Sequence, residues 1–166
     1  MASQKPGCLL VLLKLFGGGP ERGEGLPYRI TDPFLTDAER SFYHVLRTAA
    51  GADLAICPKV RLADVLSVTA RKREFWSAFN KISAKHVDFL LCDARTMKPV
   101  LAIELDDASH RRSDRASRDE FLDAVYEAAG LPVLHVPVRR AYDPREVAAA
   151  IEQAVAGGSP QADEGE

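Results

Sequence analysis

The chain has 166 residues, of which 46% are hydrophobic and 28% are charged, enough for one globular domain with a hydrophobic core. Its net charge of -2 excludes an overall attraction to polyanions, so any nucleic-acid site must be a local basic patch. The three cysteines, Cys8, Cys57 and Cys92, lie far apart without metal-ligand spacing. This pattern predicts a reducing compartment and no zinc site.

The N-terminal segment, residues 1–26, is predicted to be an apolar arm followed by a glycine-rich linker. The apolar run at residues 8–16 is interrupted by Lys14 and is shorter than the roughly 20 residues of a membrane-spanning helix. We expect a cytoplasmic protein with no stable membrane span. Peripheral membrane association through this run is the alternative. Residues 157–166 predict a disordered acidic tail, which leaves residues 27–156 as the domain.

The first predicted helix begins with a capping box. Thr36 is followed three residues later by Glu39, apolar residues recur at helical spacing, and Gly51 ends the pattern. Residues 54–60 then predict a strand, which Pro58 restricts to an edge or a bend.

The rest of the chain alternates between strand and helix patterns. Residues 61–68 fit either a continuation of the strand or a short helix, and residues 71–84 predict a helix. Strands are predicted at 86–93, 100–106 and 131–136. Between the last two, a helix is predicted that is capped by Ser117 with Glu120 and ended by Gly130. A last helix is predicted from Asp143 and Pro144. This order predicts an α/β fold with one mixed sheet flanked by helices.

Acidic residues interrupt two of the apolar strands. Asp88 lies within "HVDFLL" and Glu104 within "VLAIEL", where an ion needs a partner. Side chains alternate along a strand, so Asp106 shares a face with Glu104. We expect these three carboxylates to gather on one sheet face and to bind a divalent cation, Mg²⁺ or Mn²⁺. Asp107 fits better as a polar turn residue.

The segments "HVDFLLCD", "KPVLAIELDDASH" and "RDEFLDAVYEAAGLPVLHV" resemble the domain of unknown function family 2726. That family resembles a branch of the restriction-endonuclease-like, or PD-(D/E)XK, nuclease superfamily. The resemblance covers residues 27–142 and implies an αβββαβ core. It also implies that Asp88 and Glu104 bind magnesium and that Glu39 assists them. The capping box is the structural alternative for Glu39.

The chain departs from the superfamily pattern at Asp106, where that pattern has a lysine. Three readings follow from the resemblance. A basic residue elsewhere substitutes, with Lys85, Arg115 and Arg118 as candidates. The site is similar to that of the very-short-patch-repair endonucleases, where Asp106 would bind the metal and His110 would act as a general base or hold the metal-bound water. Or the domain binds nucleic acid without catalysis.

A basic stretch follows the acids, "HRRSDRASRDE". It predicts either a solvated helix face or a grip on nucleic-acid phosphates, to which Arg71–Arg73 would add. The predicted nucleic-acid-binding residues are Lys85, Arg111, Arg112, Arg115 and Arg118. We expect a metal-dependent nuclease that acts on nucleic acid, with DNA as the expected substrate. The alternatives are an inactive nucleic-acid-binding domain of the same fold and a small envelope-associated interaction domain.

Overall fold

The computed structural model describes residues 26–106 and 113–158, with the backbone alone at 113–119 and at 158. Several predictions made from the sequence lie outside the described residues. They concern the apolar arm, the acidic tail from residue 159 onward, Asp107, His110, Arg111 and Arg112.

The chain divides into two compact units, residues 1–34 and residues 35–166. All helices and strands below belong to the second unit. In chain order they are α1 (Asp37–Ala49), β1 (Leu54–Arg61), α2 (Leu62–Val65), α3 (Arg73–Ile82), β2 (His86–Asp93), β3 (Pro99–Asp106), α4 (Ser113–Ala129), β4 (Val133–Pro137) and α5 (Pro144–Gly158).

The four strands form one mixed sheet in the order β1–β2–β3–β4. β1 pairs antiparallel with β2, β2 antiparallel with β3, and β3 parallel with β4. The predicted α/β fold with a mixed sheet flanked by helices is confirmed. β1 is an edge strand, as the position of Pro58 within it requires, because proline cannot donate to a second neighbour.

Apolar side chains cover both faces of the sheet. On one face, residues of α1 and α5 pack against alternate residues of β2 and β3. The first cluster contains Phe42, Leu46, Phe89, Leu91, Leu101, Ile103, Val147 and Ile151. On the other face, α2, α3 and α4 contribute to a second cluster that contains Leu62, Ile82, Val87, Leu90, Cys92, Ala102, Tyr126 and Leu131.

The helix boundaries confirm one predicted capping box and correct the other. The Thr36 N–H donates to Glu39 Oε2 at 2.7 Å, and the Glu39 N–H donates to Thr36 Oγ1 at 3.3 Å. The box predicted at Ser117 is wrong, because α4 already begins at Ser113. The intervening Asp-Arg-Ala sequence suits a first helical turn, so the helix gains one more turn.

The last strand also differs from its prediction. We expected a buried strand from Leu131, but β4 begins at Val133 and is a partly exposed edge strand. Before it, the Pro132 carbonyl still accepts a hydrogen bond from the Ala102 N–H at 2.9 Å. No helix within the described ranges is long and apolar enough to cross a membrane.

Candidate functional site

The candidate site lies where β2 and β3 separate. Their antiparallel pairing ends with Phe89 opposite Ile103. Beyond this pair, β2 continues alongside β1 and β3 continues alongside β4. Asp88 and Glu104 are the first residues past the last pair, and we call this point the fork. The sheet therefore brings the two acids predicted from the sequence to one place.

Groups from both strands and from α4 bind the two carboxylates. The Leu105 N–H donates to Asp88 Oδ2 at 2.8 Å. The backbone N–H of Asp88 donates to the Glu104 carboxylate, whose Oε1 also accepts from the Tyr126 hydroxyl at 2.7 Å. Burial and the Glu104 charge raise the pKa of Tyr126, which keeps this hydroxyl a donor. These bonds replace the ladder bonds that the fork lacks.

Both carboxylates at the fork resist ionisation. Burial, together with the charges of Glu39 and Asp106, raises the pKa of Asp88 despite the Leu105 N–H and the charge of Lys59. Burial and then the charge of Asp88 raise the pKa of Glu104 to about 7, although Tyr126 and His135 oppose the shift. A cation between the two acids would reverse both effects, because opposite charge favours the ionised form.

Lys59 takes an unusual backbone conformation beside the fork. Its φ is 51°, in the left-handed region, although it lies inside strand β1. Pro58 pairs with Phe89 and Val60 pairs with Val87, so Lys59 occupies the register position opposite Asp88 without being paired to it. A non-glycine residue in this conformation costs about 1–3 kcal/mol, so the surrounding contacts must hold it there.

The pleat of both strands is broken at this same level. Val87 and Phe89 are two residues apart, yet Val87 packs in the second core cluster and Phe89 in the first. In β1, Cys57 and Val60 are three residues apart and both pack against the second cluster. Regular strands place residues two apart on one face. Both strands are therefore reshaped where Lys59 and Asp88 face each other.

Glu39 connects α1 to this reshaped segment. Its residue is 8% exposed, and its Oε1 accepts from Lys59 Nζ at 2.7 Å. Burial alone would raise the pKa of Glu39, but the hydrogen bonds from Lys59 and Thr36 outweigh it and lower the pKa. Glu39 thus has its structural role as the capping acid, and its charge also acts on Asp88.

Asp106 lies at the end of β3 in a second charged group. His135 of β4 bridges two aspartates, with Nδ1 3.4 Å from Asp106 Oδ1 and Nε2 3.0 Å from Asp123 Oδ1 of α4. Burial opposes protonation of His135, but the two aspartates outweigh it and raise its pKa. In the parallel register His135 pairs with Glu104, and it opposes the rise in the pKa of that acid.

The donors at the fork suit a hard divalent cation. No group of three or more His, Cys, Asp or Glu side chains in the described part of the chain is arranged to hold a metal ion. Two oxygen donors can still suffice for magnesium, which proteins often bind through one or two carboxylates, with water and substrate phosphates completing the shell. Asp88 and Glu104 supply that donor type.

The structure brings together Glu39, Asp88, Glu104 and Asp106 through direct bonds or charge interactions. Sequence reasoning missed three of their partners: Lys59, Tyr126 and His135. A lysine beside a proline in a strand and a histidine within an apolar strand were the available signals. Tyr126 resembled an ordinary core residue of a helix, and no sequence pattern distinguished it.

Lys85, expected to bind nucleic acid, lies just before β2. Within the described residues no hydrogen bond or ion pair joins it to the acids at the fork. Arg115 and Arg118 belong to α4, where the structure describes only their backbone.

Comparisons with curated proteins and with solved structures found no match. A family profile matches residues 31–155, which span α1 to most of α5 and include every described residue of the site. This match covers more than half of the chain. The chain therefore belongs to the family described as protein of unknown function DUF2726.

Proposed function

We propose that this chain is a cytoplasmic, metal-dependent nuclease that hydrolyses phosphodiester bonds in nucleic acid, with DNA as the expected substrate. The fork carries the proposal, because Asp88 and Glu104 come from neighbouring core strands and meet with raised pKa values. Strongly perturbed acids that converge from separate elements are typical of functional sites. The order of α1, β1, β2, β3, α4 and β4 supports a restriction-endonuclease-like αβββαβ core.

Asp88 and Glu104 would hold Mg²⁺ or Mn²⁺, and Asp106 would complete the shell directly or through water. When bound, such an ion lowers the pKa of a bound water and stabilises charge on a phosphate oxygen. The Leu105 N–H and the Tyr126 hydroxyl fix the orientation of the two carboxylates. Such supporting bonds typically change metal affinity or activity by about 10- to 100-fold when they are removed.

Lys59 would supply the positive charge that position 106 lacks. Its ammonium is bonded to Glu39 and affects the pKa of Asp88, and the Lys59 side chain as a whole is 31% exposed. A partly exposed lysine beside an acid pair can contact a phosphate oxygen or stabilise negative charge that develops on it. This assignment replaces Lys85, Arg115 and Arg118 as the expected substitutes for the superfamily lysine.

The proton acceptor would be His110, as the resemblance implies. His135 does not suit this role, because both of its ring nitrogens already face carboxylates, those of Asp106 and Asp123. His135 would instead hold Asp106 in place, and its charge acts on Glu104.

One observation favours the rival function, an inactive nucleic-acid-binding domain of the same fold. The shortest described contact of the Asp106 carboxylate is with His135, and no bond joins it to Asp88 or Glu104 among the described residues. A domain that had lost catalysis would keep such a pair as a structural link. Metal-dependent cleavage separates the two functions directly.

The test is cleavage of single- and double-stranded DNA and RNA by the full chain, with Mg²⁺, Mn²⁺ or a chelator. We expect cleavage with either metal, and loss of about 10²–10⁴-fold in Asp88→Asn and Glu104→Gln, the scale of a lost catalytic group. Glu127→Gln, an exposed acid on α4, is the matched control and should cleave like the wild type.

Two further variants, both at Lys59, separate the effect of its charge from the effect of its geometry. Lys59→Gln should lose cleavage, and Lys59→Arg should retain part of it, because arginine keeps the charge but not the geometry. Wild-type protein that binds nucleic acid but cleaves no substrate with either metal would establish the inactive binder instead. Cleavage that survives in both Asp88→Asn and Glu104→Gln would contradict the assigned site.

A further inference from the structure

Helix α3 exposes an aromatic surface. Trp76 is 62% exposed, although a side chain of this size is usually largely buried in a folded domain. Phe75 and Phe79 stack with centroids 5.9 Å apart and an interplanar angle of 10°. The Trp76 ring is nearly perpendicular to both, at centroid distances of 5.2 Å from Phe75 and 6.0 Å from Phe79. We call these three residues the aromatic ridge.

The ridge is attached to the core but is not part of it. Ile82, at the end of α3, is buried in the second core cluster, whereas none of the three rings belongs to either cluster within the described residues. The two phenyl rings contact the indole and restrict its rotation. Trp76 is therefore an exposed aromatic surface whose orientation is largely set before any partner binds, which reduces the entropic cost of binding.

Positive charge surrounds the ridge. The segment from Arg71 to Lys85 contains five basic residues and one acid, Glu74, although the whole chain has a net charge of -2. Arg71, Lys72 and Arg73 directly precede the rings, and all three are exposed. The local excess of cations favours a polyanionic partner over an uncharged peptide or a second copy of this acidic chain.

The ridge also lies on the Glu104 side of the sheet. Ile82 of α3 and Tyr126 of α4 belong to the same core cluster, and Tyr126 donates to Glu104. The ammonium of Lys81 lies 5.6 Å from the centroid of the Phe121 ring of α4. α3 and the α4 residue that binds Glu104 therefore pack on one face of the domain.

We infer that the aromatic ridge binds single-stranded nucleic acid, with Trp76 stacking on a base and Arg71–Arg73 contacting the phosphates. This inference rests on the proposed function and names its substrate class. Proteins that bind single strands combine aromatic stacking platforms with cations that follow the backbone. A duplex would meet the cations but not the indole, because its bases already stack on each other. The substrate would thus be single-stranded or frayed.

The chain offers a direct measurement, because Trp76 is its one tryptophan. Titrating the full chain with an oligothymidylate strand in a chelator tests binding without cleavage. We expect saturable quenching of the tryptophan fluorescence, and an affinity at least about 10-fold higher for the single strand than for a duplex of equal length. Anisotropy of a labelled strand gives the affinity of variants that lack the tryptophan.

Two variants separate stacking from charge. Trp76→Ala should weaken single-strand binding by about 5- to 100-fold, the range expected for one lost base stack, while the salt dependence stays unchanged. Lys72→Gln with Arg73→Gln should weaken binding and also reduce the slope of log affinity against log salt by about 0.7 for each lost phosphate contact. Met97→Ala, an exposed residue in the turn at the other end of β2 and β3, is the control and should bind normally.

Several outcomes would overturn the inference. They are absent quenching, equal affinity of Trp76→Ala and wild type, or a Trp76-dependent dimer seen by sedimentation, which would make the ridge a protein interface. Glu104→Gln, which should bind the strand without cutting it, separates failure of the single-strand inference from failure of the proposed nuclease. If the nuclease proposal fails, the strand should still bind with quenching but remain uncut. If the inference alone fails, wild type and Trp76→Ala should bind and cut single strands equally.

Discussion

Two acids on opposite sides of the sheet, the buried Glu39 and the half-buried Glu104, have opposite ionisation behaviour. Glu39 packs on the α1 side, where the Lys59 ammonium and two groups of Thr36 lower its pKa despite burial. Glu104 packs on the α4 side, where burial and Asp88 raise its pKa to about 7 and Tyr126 opposes this only in part. The first acid is neutralised within the fold. The second is compensated only in part within the fold, and this difference distinguishes the candidate site.

The largest effect on the free energy of unfolding is expected from removing Glu39, the acid that is compensated within the fold. Glu39→Ala leaves the Lys59 ammonium without its partner and removes the capping-box bond from the Thr36 N–H to the Glu39 carboxylate, whereas the bond from the residue 39 N–H to Thr36 Oγ1 remains. Loss of this capping-box bond costs about 0.5–1.5 kcal/mol, and breaking a buried pair costs more, reduced here because Lys59 is partly exposed. We expect a loss of about 2–3 kcal/mol in the free energy of unfolding, measured in urea at pH 7.

The matched control is Asp37→Ala, which removes an exposed ion pair with Arg40 in the same helical turn. Its effect should stay below about 1 kcal/mol. Equal losses in Glu39→Ala and Asp37→Ala would show that the Glu39–Lys59 pair does not stabilise the fold.

Removing Glu104, the acid that is compensated only in part, is expected to increase stability. The Glu104 pKa is raised from 4.5 to about 7 in the folded state, so the folded protein holds a proton that the unfolded chain releases between these values. Stability therefore falls as pH rises through this range. Glu104→Gln should stabilise the protein on the order of 1–3 kcal/mol at pH 8 and have little effect at pH 4.

Urea unfolding of wild type and Glu104→Gln at several pH values measures this difference, with Glu127→Gln as the control. A stability difference that is the same at pH 4 and pH 8 would contradict the raised pKa of Glu104. It would indicate instead that the amide changes packing around Tyr126.

A smaller effect of the same pH sense is expected from His135. Its pKa is raised in the folded state by Asp106 and Asp123, so this stabilisation is fully present below about 6.5 and disappears as pH rises through the folded value. The side chain is 37% exposed, which limits the gain to about 0.5 kcal/mol.

His135→Asn should therefore be destabilised relative to wild type at pH 5.5 but not at pH 9. Histidine NMR titration of the wild type gives the direct measurement. A His135 pKa below 6.5 would contradict the bridging arrangement.

The sequence predicted the parts of the fold that depend on local patterns. The Thr36–Glu39 box is readable because a capping acid lies three residues from its cap, and Asp88 and Glu104 are conspicuous because each interrupts an apolar strand. Pro58 correctly indicated an edge strand. The cap predicted at Ser117 was wrong, because two serines four residues apart offer two similar starts and the intervening residues suit a helix.

The rest of the site depends on tertiary structure. The φ of Lys59 comes from contacts between β1 and α1, and local propensity gives no reason for a lysine to adopt it. His135 acquires its role from Asp106 and Asp123, which are distant in sequence. The fork itself is a switch of strand partners, which a single strand pattern does not encode.

The most direct test of the central claim is the affinity of Mn²⁺ for the full chain, measured by calorimetry at pH 6 and pH 8. An acid with a pKa of about 7 must lose its proton to bind the ion, so wild type should bind about 10-fold more tightly at pH 8 than at pH 6. Glu127→Gln should behave like wild type, and Glu104→Gln should lose most of the affinity and the pH dependence. Binding to Glu104→Gln as tight as to wild type at pH 8 would contradict a cation site at the fork.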